Sequence, residues 1–141
     1  MRKEDRMRPD LEWLKNALKN LMSQVRSEGP SGKNLTSTFS LIIEVIGIFT
    51  RKDSIFTTDE HSKEAEKILA DILFHGNRMI KALTLFALLD AKNKGRTLDY
   101  KTEIRIEQFK NNPVNQEVWS KVNLALGIEK ALLQARKAHL N

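Results

Sequence analysis

Apolar residues near the N-terminus recur at Leu11, Leu14, Leu18, Leu21 and Val25, in alternating steps of three and four. That is the seam of a helix that pairs with another helix, and Met7 extends it. Lys15, Asn16, Lys19, Ser23 and Arg26 fall away from the seam. Pro9 suits an early helical position, where its fixed φ is pre-set, and Gly29-Pro30 ends the run. Residues 27–33 (SEGPSGK) read as a loop. Residues 37–51 are apolar nearly all round. Their β-branched content would suit a buried strand, but the run is about twice the usual strand length, so a helix is predicted. Residues 37–50 are therefore expected to form the central buried helix.

Further signals punctuate the rest of the chain. Thr57 with Glu60 three residues later is a capping-box pattern, and Asp59 adds a favourable charge at a helix start. The helix so opened has Ala65, Ile68, Leu69, Ile72 and Leu73 on one face. Gly76-Asn77 interrupts the pattern. A second apolar helix then runs through Met79, Ile80, Leu83, Phe86, Ala87 and Leu89, with Gly95 as its stop. In residues 98–110, Tyr100, Thr102, Ile104 and Ile106 alternate as a strand would, whereas Tyr100, Ile104 and Gln108 share a helix face. A lone strand has no partner elsewhere, so the helix is predicted. Asn112-Pro113 is an N-cap and first-turn pair. It precedes a last helix with Val118, Val122, Ala125, Leu126, Leu132 and Leu133 mainly inward. The expected fold is all-α: one compact bundle of about five to six helices with short loops. It spans residues 1–141, with residues 1–8 as a basic N-terminal arm.

Composition narrows the class. With 141 residues, 40% hydrophobic and 30% charged, the chain is long enough for one core without staples. It has no cysteine, hence no disulfide framework or thiolate metal site. Its longest apolar stretch, residues 39–49, is far short of the roughly 20 needed for a membrane span. No apolar region follows the charged N-terminus, so the expectation is an intracellular protein, cytoplasmic or nuclear and not secreted.

The net charge is +6, but it is unevenly spread. Residues 1–52 carry ten basic and six acidic groups, residues 53–75 two and six, residues 76–110 eight and four, and residues 111–141 four and two. Such basic segments attract polyanions, because phosphate contacts release counterions. The same segments can instead meet the acidic one within the fold or between copies.

Catalytic and metal signatures are weak. The loop at Gly29-Pro30-Ser31-Gly32-Lys33-Asn34 fails as a phosphate cradle: Ser27 and Asn34 occupy positions that need Gly and Ser or Thr, and a helix precedes it. Ala91 and Gly95 have helix-turn-helix spacing, but Asp90, Lys94, Arg96 and Lys101 stand where apolar residues belong. His61 and Glu64 lie one helical turn apart, which is no more than a solvated pair without further ligands. His75 is placed to bond the last carbonyls of its helix. Asn34-Leu35-Thr36 matches a glycosylation sequon by chance composition of a polar loop. Trp13, beside the leucine seam, and Trp119 read as core or subunit contacts, with base stacking as the functional alternative. No nucleophile, base and orienter can be grouped by spacing, so a non-enzyme with no cofactor and no metal is expected.

What remains is a self-associating basic helical protein that contacts RNA or another polyanion. Lys92, Lys94 and Arg96 surround the Gly95 turn, and Lys101 and Arg105 would extend them into a continuous phosphate-contacting surface. The cluster Arg2, Lys3, Arg6 and Arg8 and the pair Arg136 and Lys137 are further candidates. Leu11, Trp13, Leu14, Leu18, Leu21 and Val25 are the expected homodimer contact. The alternatives are a protein–protein interaction module and, third, a membrane-surface protein of matrix type. A short, basic, cysteine-free helical chain is a composition found among viral matrix, accessory and nucleocapsid-associated proteins, which suggests a viral accessory or regulatory protein but is an analogy of composition and identifies no family.

Overall fold

A computed structural model describes residues 16–17, 19–20, 32–50, 59–75 and 77–140, and all the regular structure among them is helical. The five main helices are α1 (Gly32–Thr50), α2 (Asp59–His75), α3 (Arg78–Asn93), α4 (Tyr100–Asn111) and α5 (Gln116–Leu140). A single 3₁₀ turn, Pro113–Asn115, leads into α5. Asn16, Ala17, Lys19 and Asn20 are helical too. The seam residues Leu11, Trp13, Leu14, Leu18, Leu21 and Val25, the arm at 1–8, and Thr57 lie outside the described residues.

The helix ends are set by local chemistry. Asn77 caps α3, its side-chain oxygen accepting from the Ile80 N–H at 2.9 Å. At the other end Gly95 takes φ +98°, the left-handed conformation that glycine adopts without strain. The Arg96 N–H then reaches the Ala91 carbonyl at 3.0 Å and the Gly95 N–H reaches that of Lys92 at 3.1 Å. This pair of bonds is the Schellman motif. A Cβ at Gly95 would meet nothing within 4 Å, so any penalty there is conformational rather than steric. Gly95→Ala is accordingly expected to destabilise by about 1–2 kcal/mol, read as a lower urea midpoint. Asp99 caps α4 by accepting from the Lys101 N–H at 2.9 Å, and Asn112 caps the 3₁₀ turn by accepting from Val114 at 3.1 Å.

Packing places α2 against α1, α3 and α4, and α3 against α1, α2 and α5. In α2 the predicted face is buried: Ala65, Ile68, Leu69, Ile72 and Leu73. The centre, however, belongs to α3, where Ile80, Thr84, Leu85, Ala87, Leu88, Leu89 and Ala91 are all buried. The helix expected to be central, α1, starts five residues earlier than predicted and buries one face only, Thr38, Ile42, Val45 and Phe49. Its Ile43 is 60% exposed, because an apolar circumference does not by itself supply neighbours on every side.

Two further faces differ from expectation. Residues 98–110 are indeed mostly helix, but α4 turns Thr102, Ile106 and Phe109 inward and leaves Tyr100, Ile104 and Gln108 outside. In α5, Val118, Val122 and Leu126 are buried, whereas Ala125, Leu132 and Leu133 are exposed. The second half of α5 runs past the helices it packs on. Gly127 lies in its middle, exposed, where glycine costs about 1 kcal/mol relative to alanine.

Among the described residues every buried side-chain polar atom has a hydrogen-bond partner. Thr84 donates to the Ile80 carbonyl at 2.8 Å and Asn115 to that of Phe109 at 3.2 Å. Among the described residues no helix is long and apolar enough to cross a membrane.

Candidate polyanion interface

The basic residues around Gly95 are placed by the Schellman turn and by the cap of α4, which together fold the chain back on itself between α3 and α4. Their environments differ sharply. Lys92 donates to Glu103 of α4 at 2.8 Å, and both side chains are partly exposed. Lys94 bonds Asp90, one turn back, at 2.9 Å and lies 3.6 Å from Glu129 of α5. The Asp90 hydrogen bond chiefly holds the Lys94 ammonium pKa above its ordinary value, against the opposing effect of desolvation. The acids that answer this cluster come from earlier in its own helix and from three others.

Arg96 has a structural post. Its guanidinium stacks 3.9 Å from the centroid of the Phe49 ring and donates to the Phe49 carbonyl and, at 2.6 Å, to Ser62 Oγ. Ser62 itself donates to the same Phe49 carbonyl at 2.9 Å. A cation at the last turn of α1 satisfies carbonyls that the helix leaves open. Behind it sits buried Glu66, 3.9 Å from Arg96, whose Oε2 accepts from the Asp99 N–H at 2.9 Å and from the Thr102 hydroxyl at 2.7 Å. With only 14% of its side chain exposed, Arg96 ties α1 to α2, and Glu66 carries the connection on to the start of α4.

Lys101 and Arg105 lie on another side of α4 from Glu103. One turn apart, they line a hollow of about 460 Å³ between α2 and α4, together with Lys67 and Lys19. Ile68, Ile72 and Thr102 form part of its floor. Arg105 lies 3.6 Å from Asp71 and 5.5 Å from the centroid of the Phe74 ring. Lys67 lies 3.9 Å from Glu64. Lys101 makes no ion pair among the described residues. The rim thus carries four basic side chains (Lys19, Lys67, Lys101, Arg105) against three acidic ones (Glu64, Asp71, Asp99).

The five predicted polyanion contacts therefore divide. Lys101 and Arg105 are brought together; Lys92 and Lys94 are paired with acids away from that hollow; Arg96 faces inward. Lys67 and Lys19 join the hollow without any local sequence signal, since the tertiary structure alone brings them to the same opening as Lys101 and Arg105. Arg136 and Lys137 are exposed on the far part of α5, and Arg2, Lys3, Arg6 and Arg8 lie outside the described residues.

The other candidates are accounted for. Trp119 is half-buried against the core with the Lys110 ammonium 5.7 Å from its ring centroid. His75 stands 3.6 Å from the Asp71 carboxylate. Among the described residues no three metal-ligating side chains converge, His61 and Glu64 included. Compared with protein-family models, with curated proteins and with solved structures, the chain matches none.

Proposed function

We propose that this is a non-enzymatic, self-associating helical protein that contacts RNA or another polyanion along the α2–α4 hollow. The observation that carries the reading is Lys101, exposed and without an ion-pair partner among the described residues, with Arg105, Lys67 and Lys19 around the same opening. Cations so placed attract phosphate and position a backbone without selecting a sequence. The neighbouring acids moderate this field, so binding is expected to be modest and to weaken steeply with salt. Self-association through Leu11, Trp13, Leu14, Leu18, Leu21 and Val25 belongs to the same reading.

The internal pairing of Lys92, Lys94 and Arg105 favours one alternative, a protein–protein interaction module whose positive charge serves solubility. Titration of the full chain with single- and double-stranded nucleic acids at two salt concentrations separates the two. The polyanion reading expects binding at physiological salt. It also expects the Lys101→Gln, Arg105→Gln variant to bind more weakly, with a salt slope lower by about one unit per lost contact. Equal affinity in the folded double variant removes the hollow from the mechanism. Absence of binding at physiological salt leaves the interaction module.

A further inference from the structure

The hollow between α2 and α4 offers more than a row of cations. Its floor is apolar at Ile68 and Ile72, and Thr102 beside them already donates its hydroxyl to Glu66 at 2.7 Å. Glu64 and Asp71 stand on the rim among the cations, and both carboxylates are held loosely. Glu64 lies 3.9 Å from Lys67. Asp71 lies 3.6 Å from Arg105 and 3.6 Å from His75, and both approach the same oxygen, Oδ1. Other surface pairs close tighter, at 2.8 Å for Lys92 with Glu103 and 2.9 Å for Lys94 with Asp90. Among the described residues, neither the Glu64 nor the Asp71 side chain accepts a hydrogen bond.

A bare phosphate backbone laid across this opening would gain from the cations, lose to the acids and leave the floor unused. An unpaired nucleotide answers all three features. Its base presents a flat apolar face to the floor and N–H donors at its edge to the carboxylates, while its phosphates meet Lys101 and Arg105. The volume, about 460 Å³, falls in the range of roughly 300–1,000 Å³ that holds one small molecule. A stacked duplex offers no base face unless the base is first extruded. A second observation points the same way. Phe74 of α2 is 37% exposed, and the Arg105 guanidinium stands 5.5 Å from its ring centroid. An exposed ring beside an arginine is a platform on which successive bases of a single strand stack.

We infer that the α2–α4 hollow takes one unpaired nucleotide of a single strand, its base edge toward Glu64 and Asp71, with the next base stacked at Phe74 and Arg105. The inference rests on the polyanion reading and deepens it: the ligand is single-stranded nucleic acid, bound through bases as well as phosphates. Carboxylates on the rim favour a base with an exocyclic amino group. Cytosine, which offers its N4 hydrogens, is therefore preferred to thymine, which offers the O4 acceptor in that place.

Fluorescence anisotropy of the full chain at physiological salt and pH tests this with four probes of equal length: oligodeoxycytidylate, oligothymidylate, an abasic strand and a duplex. The cytidylate strand is expected to bind about tenfold tighter than the duplex, and than the abasic strand, which keeps the phosphates and lacks the bases. Its lead over thymidylate should shrink when Glu64→Gln and Asp71→Asn are combined, even though losing two negative charges strengthens binding of every probe. Phe74→Ala should weaken the single strands about fivefold and leave the duplex and abasic probes unchanged. A retained helical spectrum separates that loss from unfolding. Equal affinity for all four probes, lowered alike by Lys101→Gln with Arg105→Gln, overturns this inference and keeps the polyanion reading. No binding of any probe overturns both. Base-dependent binding that ignores Phe74→Ala and the carboxylate pair overturns the assignment to this hollow.

Discussion

Urea unfolding of an Arg96→Ala variant is expected to show a loss of about 3 kcal/mol, with the melting temperature lowered by about 10 °C. The guanidinium serves several partners at once: the Phe49 carbonyl and ring, Ser62 Oγ, and the buried carboxylate of Glu66. Its removal leaves Glu66 facing no cation in a buried position, where unpaired charge is costly. Arg96→Lys should recover little, because one ammonium cannot stack flat on Phe49 while donating to two separate oxygens. Glu66→Ala should also destabilise strongly, exposing the Asp99 N–H and Thr102 hydroxyl to the loss of their acceptor. The two changes together should cost less than their sum, since each removes a partner of the other. An unchanged midpoint for Arg96→Ala would show that the contacts to Phe49 and Ser62 contribute nothing net. The same result matters for binding experiments. Replacing Lys92, Lys94 and Arg96 together would confound affinity with folding, whereas Lys101 and Arg105 can be changed without touching this junction.

Phe109→Ala is expected to cost about 4 kcal/mol, the range for deleting a fully buried aromatic ring. Phe109 is 0% exposed and lies in the last turn of α4, at the junction with the 3₁₀ turn and α5. Its carbonyl receives the Asn112 N–H and the Asn115 side chain, so the ring and the backbone around it anchor the same corner. Hydrogen exchange should rise first in α4, and the urea midpoint should fall with little change in slope. A loss under about 1 kcal/mol would mean that the corner collapses onto the space and that α4 is only loosely held. Because α4 carries Lys101 and Arg105, nucleic-acid affinity near the melting temperature should decline with folding, and recover on cooling.

Helical class and several helix ends were readable in the sequence because both are decided over a few residues; the start of α1 was not, since Gly32-Lys33 read as loop yet open the helix. Asn77, Gly95 and Asn112-Pro113 each act on backbone groups within five positions, and the α2 stripe from Ala65 to Leu73 keeps one periodicity without competition. Faces were readable only where a single stripe was apolar. In α1, apolar residues surround the helix, and the choice of buried face needed the neighbouring helices; in the second half of α5, Leu132 and Leu133 found no neighbour to bury them. In α4 the pattern was too sparse, so Phe109 rather than Tyr100 marks the inward side.

Charge shows the same division more sharply. Sequence alone determined that cations cluster near Gly95 and that they end an apolar helix. Only the tertiary structure decided that Arg96 is an internal junction, that Lys92 is paired with Glu103 and that Lys101 has no ion-pair partner among the described residues; the Lys94–Asp90 pair is local, one turn apart. The reason is sequence distance. Arg96 meets a carbonyl 47 residues away and Thr102 a carboxylate 36 residues away, contacts that exist only once α1, α2 and α4 are packed. Local rules act through the backbone, which neighbours share; a charge's role is set by what lies opposite it.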